Sequence, residues 1–135
     1  NIEFDVVYFD PPYAPPKDDA DYIKRYHFLE GLSVYWEGLE IMQNTKTKKI
    51  PKRFTPFAYK NRSSEALLAL FEKFKNSTIV LSYSSNSVPD EREIVSLLRK
   101  VKRDVQIYSV PHTYTFGTHE KATRRKVEEF IFVAR

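Results

Sequence analysis

The stretch Ile2-Glu3-Phe4-Asp5-Val6-Val7-Tyr8-Phe9-Asp10-Pro11-Pro12-Tyr13 opens the chain, and its reading decides the fold class. The apolar, β-prone run, broken only by Glu3 and Asp5, predicts a buried strand over the first nine residues. Pro11 and Pro12 stop that strand, because neither ring nitrogen can donate to a ladder, and Pro15-Pro16 block an early restart. A core strand with no turn ahead of it reads as a domain cut just before that strand.

Working outward, Asp18, Asp19 and Asp21 can cap a helix over residues 20–38. Its inner side would carry Tyr22, Tyr26, Leu29, Leu32 and Val34 or Trp36, and Gly31 could divide it into two short helices. Residues 44–62 have neither a helical nor a strand period and read as a long basic loop, mobile without a partner. Ser63 or Ser64 starts a helix to about Asn76, with Leu67, Leu68, Leu70, Phe71 and Phe74 as its apolar stripe. Thr78 to Tyr83 is a strand that ends in Ser84-Ser85-Asn86-Ser87. Pro89 in a first helical turn, then Asp90, Glu91 and Glu93, opens a helix burying Ile94, Val95, Leu97, Leu98 and Val101. A strand from Val105 to Val110, a loop over 111–126 and a strand from Val127 to Ala134 complete the chain. Strands separated by helices predict an α/β sheet with parallel neighbours, and the last two strands an antiparallel edge hairpin. Ligands of such sheets sit at the carboxyl ends of strands, here Asp10 to Tyr13 and Tyr83 to Ser87.

Composition narrows the function. The 135 residues, 41% hydrophobic and 15% aromatic, suit one domain with a sizeable core rather than a disordered tail. No apolar run approaches the roughly 18 residues of a membrane span, and the N-terminus lacks a signal-peptide pattern, so no membrane partner is expected. The lack of cysteine excludes disulfides and a thiolate nucleophile and fits a reducing cytoplasm. A net charge of +4 leans mildly toward anionic partners. Gly31, Gly38 and Gly117 are the whole glycine complement, too scattered for a GxGxxG or Walker loop. The chain therefore encodes no glycine-rich cradle for a nucleotide or nucleoside. His27, His112 and His119 share no metal-ligand spacing, and no metal site is expected.

Asp10-Pro11-Pro12-Tyr13 carries the chemistry. With both prolines lacking N–H groups, the turn offers acceptors and almost no donors. Asp10 brings a carboxylate, Pro11 a rigidly aimed carbonyl and Tyr13 a flat aromatic face. Such a corner suits a planar ring bearing an NH₂ group, held through both hydrogens while the ring stacks. An exocyclic amine is a poor nucleophile, because its lone pair is delocalised into the ring. Two acceptors on its N–H bonds favour a pyramidal nitrogen and stabilise the positive charge that develops during attack on a methyl sulfonium. The plainer alternative is a proline turn that merely ends a strand.

The run Phe4-Asp5-Val6-Val7-Tyr8-Phe9-Asp10-Pro11-Pro12-Tyr13 resembles the catalytic motif of S-adenosylmethionine-dependent amino-methyltransferases. Its continuation through Ala14-Pro15-Pro16 to the aromatic Tyr22–His27 segment is similar to the Dam-like, alpha-group DNA adenine-N6 methyltransferases. Ile79-Val80-Leu81-Ser82-Tyr83-Ser84-Ser85-Asn86 and Phe116-Gly117-Thr118, ahead of the last strand, resemble that family's later segments in the same order. The resemblance implies the C-terminal portion of a Rossmann-like class I methyltransferase sheet. Residues 1–135 would then form one partial catalytic domain, and the N-terminal cofactor-binding half would be absent. It implies S-adenosylmethionine as cofactor, Asp10 touching both cofactor and base, and Asp10, Pro11, Pro12 and Tyr13 as the catalytic set. Tyr13 would stack on a flipped adenine of double-stranded DNA, with Tyr114 or Phe116 covering its other face; ordinary edge packing is the alternative for those two. The partners implied are DNA and the missing half of the same enzyme, in a restriction-modification or phage setting.

Lys46, Lys48, Lys49, Lys52, Arg53, Lys60 and Arg62, interleaved with Phe54, Phe57 and Tyr59, suit a surface that tracks a phosphate backbone. A solubilising loop is the alternative. Arg124 and Arg125, beside Lys126, form a second candidate contact. An RNA base amino-methyltransferase and a non-catalytic nucleic-acid-binding remnant are the competing functions; the acid-free basic stretch favours DNA over RNA.

Overall fold

The structure, a computed structural model, describes residues 3–16, 22–116 and 123–135; for Lys24, Arg25, Thr115, Phe116 and residues 123–125 only the backbone is placed. Four strands form one mixed sheet in the order β1-β2-β4-β3. β1 (Val6–Phe9) runs parallel to β2 (Thr78–Ser84), while β4 (Thr123–Ala134) lies antiparallel between β2 and β3 (Val105–Phe116). The helices are α1 (Tyr22–Ser33), α2 (Ser63–Lys73) and α3 (Glu91–Arg99), with a 3-10 turn at Pro56–Ala58. Parallel neighbours followed by an antiparallel hairpin are thus observed, with β1 and β3 at the two edges.

Strand alternation builds the core on one face. Ile79, Leu81 and Tyr83 on β2 stand opposite Ala134, Phe132 and Phe130 on β4, and all six are buried. Leu67 and Phe71 of α2 and Ile94, Leu97 and Leu98 of α3 close over them. The Asp90 carboxylate caps α3 by accepting from the Glu93 N–H at 2.9 Å, so Pro89 precedes the helix instead of lying in its first turn.

The other face is open. Val6, Tyr8, Tyr108, Val110 and Ile131 share it by register, and each is exposed. This corrects the expectation of a buried first strand: β1 is four residues long, its outer edge is unpaired among the described residues, and alternate side chains face outward. The same correction applies to α1, where Tyr22, Tyr26, Leu29, Leu32 and Val34 are exposed and Ile23 alone of its aliphatic side chains is buried. Asp18, Asp19 and Asp21 lie outside the described residues. Gly31 does not split the helix. A Cβ there would lie 2.2 Å from the Trp36 indole, so the glycine lets the tryptophan fold back on the last turn.

Two loops are shorter than expected. β3 continues through Pro111, which costs no ladder bond on an edge strand, and most of 111–126 is hairpin. The basic stretch is anchored at two points, Ile50 and Ala58, both buried, the second on the 3-10 turn that packs beside α2.

Candidate functional site

The parallel register sets Phe9 beside Leu81, so Asp10 emerges next to the carboxyl end of β2. Asp10 is exposed and Tyr13 half-buried. The Tyr13 hydroxyl donates to Asp10 Oδ1 at 3.1 Å and lies 3.3 Å from Ser82 Oγ. Its ring meets Tyr83 edge-on at 5.0 Å. Burial pushes the Tyr13 hydroxyl well above the usual tyrosine range; the Ser82 hydrogen bond opposes this and the Asp10 carboxylate adds to it. Tyr83 is raised likewise, chiefly by burial and then by Tyr13 and Glu93.

Beyond the corner the chain is clamped. Ala14, fully buried, bridges to Val88, whose N–H donates to the Ala14 carbonyl at 2.8 Å. The Val88 carbonyl in turn accepts from Tyr83 Oη at 2.7 Å and from Ser63 Oγ at 3.1 Å. Val88, just past the polar segment 84–87 that the sequence offers as a ligand-bearing strand end, therefore fastens the proline corner.

A hollow of about 250 Å³ opens beside it, lined by Tyr8, Phe9, Asp10, Pro11, Pro12, Phe57 and Leu70. Asp10, Pro11 and Pro12 are brought together on this wall. Tyr13 is not on it: its ring lies against Tyr83 and Ser82 on the far side of the turn. The aromatic side chains at the hollow are Tyr8, Phe9 and Phe57. Phe57 is placed by the 3-10 turn, whereas the sequence presents it only as an aromatic among cations. Thr55-Pro56 ahead of it carries the signal, a β-region residue followed by proline at a first helical position.

The remaining candidates are scattered. Tyr114 bonds to Glu129 Oε1 at 2.6 Å and meets His112 edge-on. The Phe116 backbone pairs with Thr123, and the side chains of Phe116, Arg124 and Arg125, with Gly117 and Thr118, lie outside the described residues. In the basic stretch Lys46, Lys48, Lys60 and Arg62 are exposed and Lys49 is half-buried. Lys52 caps the Tyr59 ring at 4.5 Å, Tyr59 stacks on Phe54, and Arg53 lies 3.9 Å from Glu30. Lys48 Nζ donates to the Gln43 carbonyl. Lys48, Lys52 and Arg53 are thus each tied to a neighbouring group within or beside the stretch.

Among the described residues no glycine turn follows a strand to cradle S-adenosylmethionine. Gly31 is packed under Trp36 and Gly38 lies in the turn after α1, so neither follows a strand where a nucleoside could approach the backbone. Among the described residues no group of three His, Asp or Glu side chains could hold a metal, and no helix is long and apolar enough to cross a membrane.

By sequence, the chain is similar to curated type II DNA methyltransferases and modification methylases. The chain is 30% identical over 130 residues to the Type II methyltransferase M.FokI of Planomicrobium okeanokoites, covering 95% of this chain and 19% of that protein. It is 30% identical over 134 residues to the Type II methyltransferase M2.HphI of Haemophilus parahaemolyticus, covering 98% and 35%. It is 25% identical over 134 residues to the Modification methylase LlaI of Lactococcus lactis subsp. lactis, covering 96% and 21%. The chain thus spans about a fifth of the length of two of these relatives and about a third of the other. No family model matches it, and no solved structure does.

Proposed function

We propose that this chain is the acceptor-side portion of a DNA adenine-N6 methyltransferase of the restriction-modification kind. The observation that carries the proposal is the Asp10-Pro11-Pro12 wall, an acceptor-only surface opening on a hollow at the carboxyl end of β1. An adenine 6-amino group entering there meets the Asp10 carboxylate and the Pro11 carbonyl and no competing N–H donor. Asp10 already accepts from Tyr13, yet a carboxylate has about four lone-pair sites, enough for an amine as well. The chain's own work is to hold that amine and polarise it, and the aromatic side chains at the hollow are Tyr8, Phe9 and Phe57. Methylation names of the relatives support the reaction class, and the cationic patch around Lys52 and Tyr59 supports a polyanionic substrate.

The methyl donor, S-adenosylmethionine in this reading, would be bound by polypeptide beyond these residues. The uncovered sheet face and the open edge of β1 support that division of labour. The test is transfer of a labelled methyl group from S-adenosylmethionine to duplex DNA by a polypeptide carrying this chain together with a donor site. Nucleoside analysis should find N6-methyladenine, and Asp10→Ala should abolish transfer while cofactor binding persists. N4-methylcytosine as the product would refute the base assignment, and full turnover by Asp10→Ala would remove the corner from the mechanism.

A further inference from the structure

The hairpin of β3 and β4 is longer than the sheet that carries it. β2 pairs with β4 only over residues 129–134, whereas β3 follows β4 from Ala134 out to Thr123. Ser85 makes one more tie: its N–H donates to the Glu128 carbonyl at 2.8 Å, and its Oγ accepts from the Glu128 N–H at 2.9 Å. Beyond Glu128, the five pairs from His112↔Val127 to Phe116↔Thr123 have no third strand among the described residues. They form a two-stranded ribbon about 17 Å long, at roughly 3.4 Å per residue. The ribbon is braced at its root. The Tyr114 hydroxyl donates at 2.6 Å to Oε1 of Glu129, the residue paired with Ser84 in the sheet. His112 meets the Tyr114 ring edge-on at 4.7 Å, and Val127, across from His112, is buried.

Charge points to the partner. Residues 111–127 contain Lys121, Arg124, Arg125 and Lys126 against a single acidic residue, Glu120. Arg124, Arg125 and Lys126 are consecutive on β4, in register with Thr115, Tyr114 and Thr113, and Lys126 is exposed. Glu128 and Glu129 lie at the root, where Glu129 already accepts from Tyr114. The ribbon leaves the sheet at the end where β1 and β2, running parallel, both finish, which is the end that carries the proline corner. A two-stranded ribbon fits the major groove of B-DNA, about 12 Å wide, and not the minor groove of about 6 Å. The deep, narrow major groove of duplex RNA does not admit it.

We infer that this ribbon is an arm that enters the major groove of duplex DNA, with Arg124, Arg125 and Lys126 supplying cations to the phosphates. The inference rests on the reading of the corner as a site acting on DNA. It adds a contact on the β4 side of β2, whereas Phe57 of the basic stretch lines the hollow on the β1 side.

The test is dimethyl sulfate footprinting, which reads guanine N7 in the major groove, with the 135-residue chain on duplex DNA carrying one unpaired adenine. Titrations of DNA and RNA duplexes of the same sequence across a salt series accompany it. The wild type should protect guanine N7 positions near the unpaired adenine. Replacing Arg124, Arg125 and Lys126 together by alanine should remove that protection and keep the thermal midpoint. It should also lower the log–log salt slope on DNA by about 0.9 for each phosphate released. Arg124→Lys with Arg125→Lys should retain the slope, which separates charge from folding. Wild-type binding without N7 protection, or an unchanged slope in the triple-alanine variant, overturns the arm and leaves the corner reading intact. An equal loss of affinity on DNA and RNA duplexes overturns the groove assignment. No wild-type affinity for duplex DNA overturns both readings.

Discussion

Replacing Tyr13 tests the expectation that its ring stacks on a base against a role as a strut of the fold, because its ring and its hydroxyl have different partners. Tyr13→Phe keeps the ring on Tyr83, 5.0 Å away, and removes the hydroxyl that reaches Asp10 and Ser82 at 3.1 and 3.3 Å. Asp10 is exposed and Ser82 only partly buried, so water can replace that hydroxyl. The expected cost is under about 1 kcal/mol. Tyr13→Ala also removes a half-buried aromatic, about half of the 1.5–3 kcal/mol for burying such a side chain. The edge-on pair with Tyr83 adds about 0.5–1.5 kcal/mol. The sum is about 2 kcal/mol, measurable by urea denaturation and small enough to leave the chain folded. Binding should split differently. For a duplex carrying an unpaired adenine, Tyr13→Ala should lose the stacking contribution, about 1–3 kcal/mol or roughly 5- to 150-fold in Kd. Tyr13→Phe should bind like the wild type, since a phenyl face stacks as well. Fluorescence anisotropy on matched and unpaired duplexes at one salt concentration reads both. If Tyr13→Phe weakens binding as much as Tyr13→Ala, or if Tyr13→Ala weakens both duplexes equally, the ring is structural and the stacking assignment is wrong.

Neutralising Lys48, Lys49, Lys52 and Arg53 together should flatten the dependence of DNA affinity on salt, by about 0.9 in the log–log slope for each phosphate no longer neutralised. An unchanged slope would assign the patch to solubility. The hydroxyls of Tyr13 and Tyr83 are raised above the ordinary tyrosine value, so the folded state holds their protons more tightly than the unfolded chain does. Their contribution to stability is complete below about pH 10 and is lost as pH rises beyond it. A titration at 295 nm should show the exposed tyrosines ionising first and these two only with unfolding; a single wave with the fold intact would refute the burial argument.

What could be read in the sequence follows from what covers each element. α2, β2 and α3 are enclosed on their apolar sides, so the stripes Leu67–Phe71, Ile79–Tyr83 and Ile94–Leu98 predict both type and core membership. β1 and α1 carry equally apolar residues, and a sequence cannot say which of these lack a cover; hence Phe4, Tyr8, Leu29 and Leu32 are expected inside and lie outside. Pro111 looks like a strand stop because its tolerance depends on an edge position that only topology defines. At the site, the acceptor-only character of Asp10-Pro11-Pro12 is local and therefore legible. Val88 is not, because it reaches the corner through a bridge to Ala14, distant in the chain.

The open face and the missing cradle answer each other. Val6 and Tyr8 expose apolar surface on the edge strand that ends at Asp10, and Tyr108, Val110 and Ile131 extend it across the sheet. A protein alone in water gains by covering such a surface, at about 25 cal/mol per Å² of apolar area. A strand added beside β1 would also place its own carboxyl end next to Asp10, where ligands of parallel sheets are held. In the proposed reading, polypeptide paired to that edge would arrive beside the Asp10-Pro11 wall, where a donor is needed. The relatives' greater length supplies room for such a segment. The apolar edge and the acceptor corner are adjacent, so one covering segment would reach both.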